Sequence, residues 1–395
     1  MTAAVLRGRS RQGSGKLKAK PVRELDRKPA GARPQVRGPQ RERHEPDYFL
    51  LFGVVALVAI GILMVYSSSG VAGLLNKQNA FAEVGPQAMW AVLGAVVMVV
   101  AMRMDYRYLR HISIPAFGIS LILLVLVVLP DMGPIQSIEG GGSSRWLKLG
   151  PLPSMHPAEI AKLTLVVYLA HWLAKKGRAA GSLTHGLIPF LLITGPVLAL
   201  VIAEPDLGTT GVLTLTAFTM FFIAGGSLVQ LSLMAPLGIA AVAFVITSFG
   251  YMKDRVDAFV DPFAYAQGIG FHTVQGLLAL GAGGLTGVGL GQSRQPGQLQ
   301  LPAAETDYVF AVLAQEVGFL GAIAVIALYL LFAYRGIRIA LGAPDTFGAL
   351  LATGITAWLT IQPRGLNLPC SRFMKSVILS TSLALTPSKS IWMPS

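Results

Sequence analysis

Long uncharged apolar runs constrain the fold of this chain more than any other feature. Tyr48–Ser67 and Ile112–Leu129 contain no charged side chain, and 53% of the 395 residues are hydrophobic whereas 13% are charged. A helix needs about 20 apolar residues to cross the hydrocarbon core of a bilayer. Inside that core every backbone polar group has to be bonded within the protein, which favours helices. We therefore predict an all-α polytopic membrane protein.

About nine transmembrane helices are visible as apolar runs. The predicted spans are 48–68, 87–103, 112–130, 158–174, 186–203, 208–225, 230–250, 308–334 and 345–362. Lys and Arg in short loops mark the cytoplasmic side of a membrane protein. Three short loops hold such clusters, and an even number of spans separates each from the N-terminus: Arg103, Arg107 and Arg110; Lys175, Lys176 and Arg178; Arg335 and Arg338. The pattern predicts a cytoplasmic N-terminus.

The first 47 residues differ in composition from the rest of the chain. They contain 13 of the 32 Lys and Arg residues, interspersed with Pro and Gly. A segment so poor in apolar residues cannot bury enough surface to fold, so we expect a disordered tail. A basic tail beside a first membrane span is typical of a segment that binds anionic lipids on the cytoplasmic side. We expect lipid, and no nucleic acid, as the partner of this tail.

Two loops on the predicted outer side are long and polar, namely 131–157 and 251–307, the latter directly before the eighth span. The larger loop contains the glycine-rich stretch GAGGLTGVGLGQS at 281–293. We interpret this stretch as a flexible or re-entrant loop, because a phosphate-binding loop would need a strand and a helix around the glycines. The apolar side chains near it favour packing against the membrane domain.

Ionisable residues of both signs gather on the same predicted side. Glu159 and Lys162 are three residues apart, so they share a helix face and can neutralise each other. Glu204 and Asp206 lie in EPDLGT, which is compatible with an ordinary turn between two spans. Asp307, at the start of the eighth span, fits either a helix cap or a functional carboxylate. Cations suit phosphate binding, and a carboxylate suits general-base catalysis.

Metal-dependent hydrolysis and serine hydrolysis have no support in the sequence. The chain has no HExxH motif, no paired His and Cys with metal-ligand spacing, and no GxSxG motif. We predict no protein-bound metal site, and the question of a divalent cation as cofactor stays open.

Four motifs follow one another along the chain: RWLKLGPLPSMHPAEIAKL at 145–163, AEPDLGTTG at 203–211, RVDAFVDPFAYAQGIGFHTVQGLLALGAGGLTGVGLGQS at 255–293 and LPAAETDYVFAVLAQEVGFLG at 301–321. In this order they resemble the SEDS family (shape, elongation, division and sporulation). The resemblance covers residues 48–362 and is stronger to the division members than to the elongation members. It implies ten spans and the polymerisation of lipid II into glycan strands. It also implies a class B penicillin-binding transpeptidase and other division proteins as partners, at the septum of the bacterial cytoplasmic membrane.

The resemblance also implies roles for particular residues. Asp307 matches the essential outer carboxylate of the family, which makes it the candidate general base. Arg145, Lys162 and Arg255 are candidates for holding the diphosphate of the substrate. The substrate-binding set is completed by Glu159, Asp261 and Glu305; Glu305 stands where the family usually has His, and either raises the pKa of Asp307 or helps to bind a cation.

The chain departs from the family pattern after Gln362. Residues 363–395 lack the expected Gly- and Pro-rich tenth span, and their only apolar stretch, 376–385, is too short to cross a bilayer. We interpret this atypical tail as the product of a frameshift or a truncation. Two other functions stay open alongside glycan polymerisation: a transporter that flips a lipid-linked precursor, and an inactive scaffold for a transpeptidase.

Overall fold

The computed structural model describes residues 46–75, 81–129, 135–140, 143–149, 155–204, 206–248, 250–293 and 308–362. The basic tail up to residue 45 and the atypical segment 363–395 lie outside these ranges. The elements in chain order are α1 (Tyr48–Leu75), α2 (Phe81–Arg103), α3 (Tyr108–Val128), β1 (Ile135–Gly140), β2 (Ser143–Leu149), α4 (Pro157–Lys176), α5 (Ile188–Ala203), α6 (Leu207–Ile223), α7 (Leu228–Ser248), α8 (Gly250–Val260), α9 (Phe271–Ala282), α10 (Val309–Leu341) and α11 (Thr346–Ile361).

Every predicted span corresponds to a helix in the structure, so the prediction of a helical polytopic membrane protein is confirmed. Five helices among the described residues are long and apolar enough to cross a membrane: Tyr48–Ser68, Val84–Arg103, Tyr108–Val128, Leu183–Ala203 and Val309–Leu341. Shorter apolar helices cover 207–223, 228–244 and 346–361. The number of nine crossings stays a prediction.

The two long loops, 131–157 and 251–307, contain regular structure that the sequence did not lead us to predict. In the first loop, β1 and β2 form an antiparallel hairpin, with Ile135 opposite Leu149. In the second, α8 and α9 occupy part of the segment that we expected to be a loop. This segment contacts the membrane domain only in part. The His272 ring of α9 stacks on Tyr308 at the start of α10, with 6.3 Å between the ring centroids, and Val274 is buried. Most of the apolar side chains that we expected to pack there are exposed, namely Phe271, Leu277, Leu278, Leu280 and Leu285.

Acidic caps and arginines meet at one end of the helical bundle. Asp47 caps α1 by accepting hydrogen bonds from the backbone N–H groups of its first turn, and it pairs with Arg335 of α10 at 3.4 Å. Asp345 caps α11 and pairs with Arg110 of α3 at 3.3 Å. We call this end, defined by these four residues, the arginine end. It unites segments that the distribution of basic residues predicts to lie on the same side.

The opposite end of the bundle contains the hairpin. Helix α3 runs from Arg110 at the arginine end to β1 and β2, which it contacts. Helices α1 and α10 lie antiparallel, because Asp47 contacts Arg335 whereas Ser67 contacts Glu316. Tyr308 at the start of α10 therefore lies away from the arginine end. We call this opposite end, with β1, β2 and Tyr308, the hairpin end.

The protein core lies between α4, α6, α10 and α11. Helix α11 packs against the other three, and its Trp358 is fully buried together with Leu165 and Leu169 of α4. Outer faces of the helices remain apolar and exposed, for instance Val92 at 66% and Leu192 at 70%. Exposed apolar surface of this extent is what a bilayer covers, so these faces suit contact with lipid.

Candidate functional site

Arg145 connects the hairpin to the turn between α5 and α6. It lies on β2, which is held beside the start of α4 by reciprocal backbone hydrogen bonds between Leu147 and Met155, 2.8 and 2.9 Å long. Its Nε donates a hydrogen bond of 3.3 Å to the backbone oxygen of Glu204. The strand, α4 and the α5–α6 turn thus place a cation beside two carboxyl groups at the hairpin end.

The two carboxyl groups of this turn have different environments. Asp206 caps α6, where its carboxylate accepts hydrogen bonds from the backbone N–H and the hydroxyl of Thr209 at 3.1 and 2.9 Å. Burial opposes the ionisation of Asp206, but these bonds, Arg145 and His156 together lower its pKa. His156 Nε2 lies 3.8 Å from Asp206 Oδ2.

The environment of Glu204 disfavours the ionised form of its carboxyl group. Glu204 is 1% exposed, and neither of its carboxyl oxygens has a hydrogen-bond partner among the described residues. Burial, and after it the negative charge of Asp206, raises the pKa of Glu204 to about 8, although the charge of Arg145 opposes this shift. Glu204 is therefore mostly protonated at neutral pH, whereas Asp206 is ionised.

Glu159 and Lys162 form the ion pair that their spacing permits. Lys162 Nζ donates a hydrogen bond of 2.7 Å to Glu159 Oε1, and its ammonium lies 5.7 Å from the centre of the Trp358 ring. Lys162 is buried, and it lines a cavity of about 10 Å³ together with Thr216 and Trp358. Such a cavity has room for about one water molecule. Lys162 is thus held by Glu159 and Trp358 within the bundle.

The remaining predicted site residues are described only in part. Asp307 and Glu305 lie outside the described residues, as does the side chain of Arg255 on α8. Asp261 is exposed after α8, and its carboxylate accepts a hydrogen bond from the backbone N–H of Ala264. The capping position of α10 belongs to Tyr308, which makes no side-chain cap bond.

Tyr308, which directly follows Asp307 in the chain, is closely packed. A Cβ atom added to Gly276 of α9 would lie 2.9 Å from the Tyr308 ring, so only glycine permits this approach. The backbone N–H of Val312 in turn donates a hydrogen bond to the backbone oxygen of Tyr308. Helices α9 and α10 therefore fix the position of Tyr308, the residue that follows Asp307.

Sequence reasoning did not identify the cluster of Arg145, His156, Glu204 and Asp206 as a unit. The EPDLGT motif had an adequate explanation as a turn, and the hairpin that carries Arg145 was not predicted. The signal was nevertheless present, because two acidic residues separated by a single position between apolar spans need a cation or a proton. In the part of the chain that the structure covers, no three His, Cys, Asp or Glu side chains are grouped to hold a metal.

The protonation of Glu204 predicts how stability changes with pH. A folded-state pKa of about 8 against an ordinary value of 4.5 means that the folded protein holds a proton that the unfolded chain releases in this range. Stability therefore falls as the pH rises from 4.5 to 8 and levels off above it. Glu204→Gln keeps the shape and cannot ionise, so we expect it to stabilise the protein by about 1–3 kcal/mol at pH 9.

This expectation is checked by thermal unfolding of the purified protein in detergent at pH 5, 7 and 9. Asp206→Asn is the matched control: because the Asp206 carboxylate has a lowered pKa and holds Thr209, its loss should destabilise the protein at neutral pH. Equal pH dependence of the midpoints for wild type and Glu204→Gln would refute the assignment of a buried neutral acid.

Comparison with known proteins gives one consistent family. The family model described as cell cycle protein, which covers FtsW, RodA and SpoVE, matches residues 48–367. Stage V sporulation protein E of Bacillus subtilis is 35% identical over 321 residues, which are 81% of this chain and 86% of that protein. The probable peptidoglycan glycosyltransferase FtsW of Thioalkalivibrio sulfidiphilus is 35% identical over 374 residues, 90% of either chain.

Solved structures agree with this grouping. A chain from the structural study of a peptidoglycan synthase complex that coordinates polymerization and crosslinking matches with a TM-score of 0.66 and 25% identity, over 86% of this chain and 96% of that chain. Thermus thermophilus RodA matches in fold, with a TM-score of 0.60 and 24% identity over 86% of this chain and 95% of that chain. The order of the helices, the motifs at the hairpin end and these matches together show that the chain belongs to the FtsW/RodA/SpoVE family of multi-pass membrane proteins, the SEDS family.

Proposed function

We propose that this protein is a peptidoglycan glycosyltransferase that polymerises lipid II into glycan strands, with Asp307 as the general base. Relatives with about 35% identity over at least four fifths of the chain are named as peptidoglycan glycosyltransferases. The observation that carries the residue assignment is the position of Tyr308. It lies at the hairpin end, the same end as Arg145, and it is the next residue after the candidate base.

The proposed reaction is a single displacement at the anomeric carbon of the donor sugar. Asp307 accepts the proton of the acceptor 4-hydroxyl, whose oxygen then forms the new bond to the anomeric carbon. The bond from this carbon to the lipid diphosphate breaks, and the diphosphate leaves with the electron pair. An α-linked diphosphate thereby gives a β-linked glycan. Since the leaving group departs as an anion, no separate general acid is required when cations hold its charge.

Arg145, Lys162 and Arg255 are the proposed cations. The guanidinium of Arg145 offers several donors suited to phosphate oxygens. Arg145 lies on β2 and contacts the turn between α5 and α6. Lys162 is a weaker candidate for direct contact, because Glu159 occupies its ammonium. We propose that the Glu159–Lys162 pair lies beneath the binding site and stabilises the helices that form it. Glu305 and Asp261 complete the substrate-binding set, and a divalent cation beside Glu305 stays open.

We further propose a place and a partner for this activity. The hairpin end faces outward and the arginine end faces the cytoplasm, in accordance with the positive-inside distribution. A class B transpeptidase is the proposed partner, because the solved relative belongs to a peptidoglycan synthase complex that joins polymerization and crosslinking. We propose residence at the division septum with other division proteins, since several relatives with about 35% identity are named FtsW.

The test is glycan polymerisation by the purified protein, with lipid II as substrate and a class B transpeptidase present. Polymer that disappears when Asp307 is substituted supports the proposal. Transfer of lipid II across a vesicle membrane without polymer would instead identify a transporter. Binding of the transpeptidase with neither activity would identify a scaffold. All three measurements use the same purified protein, so the absence of polymer still distinguishes a transporter from a scaffold.

A further inference from the structure

Two polar contacts set the register between α3 and α4, which pack against each other. Thr164 of α4 donates a hydrogen bond of 2.8 Å to the hydroxyl of Ser120 on α3. About two helical turns nearer the arginine end, the hydroxyl of Ser113 on α3 lies 2.6 Å from Nδ1 of His171 on α4. The two helices are therefore antiparallel and stay in step along this length.

This register brings cations of both helices together at the arginine end. Arg110 lies three residues before Ser113, and Lys175 lies four residues after His171, so each is one turn further toward that end on the same helix face. Lys175, Arg110 and His111 are all close enough to act on His171 electrostatically. We call these four residues, Arg110, His111, His171 and Lys175, the basic cluster.

The basic cluster keeps a net positive charge. Arg110 pairs with Asp345 at 3.3 Å, and its guanidinium lies 4.9 Å from the centre of the Phe347 ring. In the part of the chain that the structure covers, this is the one ion pair that the cluster makes. The charge of Lys175 is thus not balanced by it, and an added anion would be attracted to this position.

The cluster is accessible, and it borders a surface that suits lipid. The side chain of Arg110 is 44% exposed, and His111 and Lys175 are exposed as well. On α3 the neighbouring apolar side chains Ile112 and Ile114 are also exposed. Cations therefore lie directly where the lipid-facing surface of α3 approaches the end of the bundle, which is the level of phospholipid head groups.

The two kinds of side chain together favour a phospholipid over a soluble anion. A guanidinium and an ammonium offer donors for phosphate oxygens, and basic sites between transmembrane helices bind the head groups of anionic lipids. A soluble anion would use these charges alone. A lipid would in addition cover Ile112 and Ile114, whose contact with water costs free energy.

We propose that the basic cluster binds the head group of an anionic phospholipid, with its phosphate on Arg110 and Lys175 and its acyl chains along α3. This site is distinct from the basic tail, which belongs to another part of the chain, and from the proposed glycosyltransferase site at the hairpin end. The proposal does not depend on which residue is the catalytic base. A lipid bound in this way bridges α3 and α4.

The test is lipid binding by the purified full-length protein in detergent, titrated with phosphatidylglycerol and followed by native mass spectrometry. We expect phosphatidylglycerol to bind at least tenfold more tightly than the zwitterionic phosphatidylcholine. Lys175→Gln should weaken the binding of phosphatidylglycerol about fivefold, the usual contribution of one basic residue at an anionic lipid. Lys175→Arg keeps the charge and should bind as the wild type does. Because Lys175 is exposed, we expect the unfolding temperature without lipid to stay unchanged in both variants.

Arg338→Gln is the matched control. It removes one exposed charge from the last turn of α10, one turn beyond Arg335 of the arginine end, and Arg338 is not among the charges that act on His171. The basic tail is present in every variant, so its own attraction for lipid contributes equally. We expect Arg338→Gln to bind phosphatidylglycerol within about twofold of the wild type. Equal weakening by Lys175→Gln and Arg338→Gln would indicate diffuse attraction and overturn the site.

Glycerol phosphate, a soluble molecule with the same phosphate chemistry, separates a lipid site from a site for a free anion. We expect it not to displace phosphatidylglycerol at equal concentration, because it lacks the acyl chains. Displacement would show that the cluster takes soluble phosphates, and the assignment to lipid would be wrong. A photoactivatable phosphatidylglycerol should also cross-link to peptides of α3 or α4, and less so in Lys175→Gln. Cross-links confined to other segments would place the lipid elsewhere and refute the proposal.

Discussion

Asp307→Asn is expected to lower the rate of glycan polymerisation by about 10²–10⁴-fold, the usual contribution of a positioned general base. The substitution keeps the size and shape of the side chain and removes its ability to accept a proton. Because substrate binding depends on the cations proposed above rather than on this proton transfer, we expect a decrease in kcat with a small change in KM. The measurement is a time course of polymer formation from labelled lipid II.

A matched control distinguishes this effect from a general effect of charge. Asp254→Asn makes the same chemical change at an exposed position on α8, and we expect it to leave the rate within about twofold of wild type, as for most surface substitutions. Both variants should bind the transpeptidase partner as the wild type does. If Asp307→Asn polymerises lipid II at the rate of Asp254→Asn, another group is the base.

The helices were predictable because a bilayer imposes a local requirement. Each crossing segment has to be apolar over about 20 residues, so the runs at Tyr48 and Val309 are visible without knowledge of their neighbours. Helix α4 was predictable in the same way, although Glu159 and Lys162 lie within it. Their three-residue spacing indicated the ion pair that the structure contains, because neighbours on one helix face interact locally.

The hairpin and the two helices of the large loop depend on contacts between distant parts of the chain. Leu147 of β2 pairs with Met155 beside α4. The sequence of β2 has no alternation of apolar and polar residues that would predict a strand. The raised pKa of Glu204 likewise arises from burial by elements far apart in sequence. Sequence reasoning placed Glu204 and Asp206 at the same end as Arg145, where the structure has them, but it had no means to assign them different protonation states.

The break in helix α10 at Gly318 could not be predicted from the sequence, for a different reason. Gly318 lies inside an apolar run, and a helix tolerates a single glycine within such a run at a cost of about 1 kcal/mol. Its φ of 77° and ψ of −174° become evident only together with the loop that bonds to both sides of it. A sequence signal did exist in Gly283 and Gly287, whose missing side chains permit the loop backbone to approach that of α10 closely.

Gly318→Ala is expected to reduce the free energy of unfolding by about 2–4 kcal/mol, which is large for the addition of one methyl group. The backbone conformation of Gly318 is nearly exclusive to glycine, since a Cβ atom is strained there. The new atom would also lie 2.6 Å from the backbone oxygen of Leu285, so the loop would have to move away from the break. Thermal unfolding and the proteolytic sensitivity of the loop measure the two effects.

Gly281→Ala provides the comparison for this loss of stability. Gly281 lies on α9, its added Cβ would meet nothing within 4 Å, and its φ lies outside the left-handed range. We expect this variant to unfold at the wild-type temperature or slightly above it, because alanine favours a helix over glycine by about 1 kcal/mol. A Gly318→Ala protein that is as stable and as resistant to protease as Gly281→Ala would mean that α10 can close into a continuous helix. The loop would then be held by contacts other than those at the break.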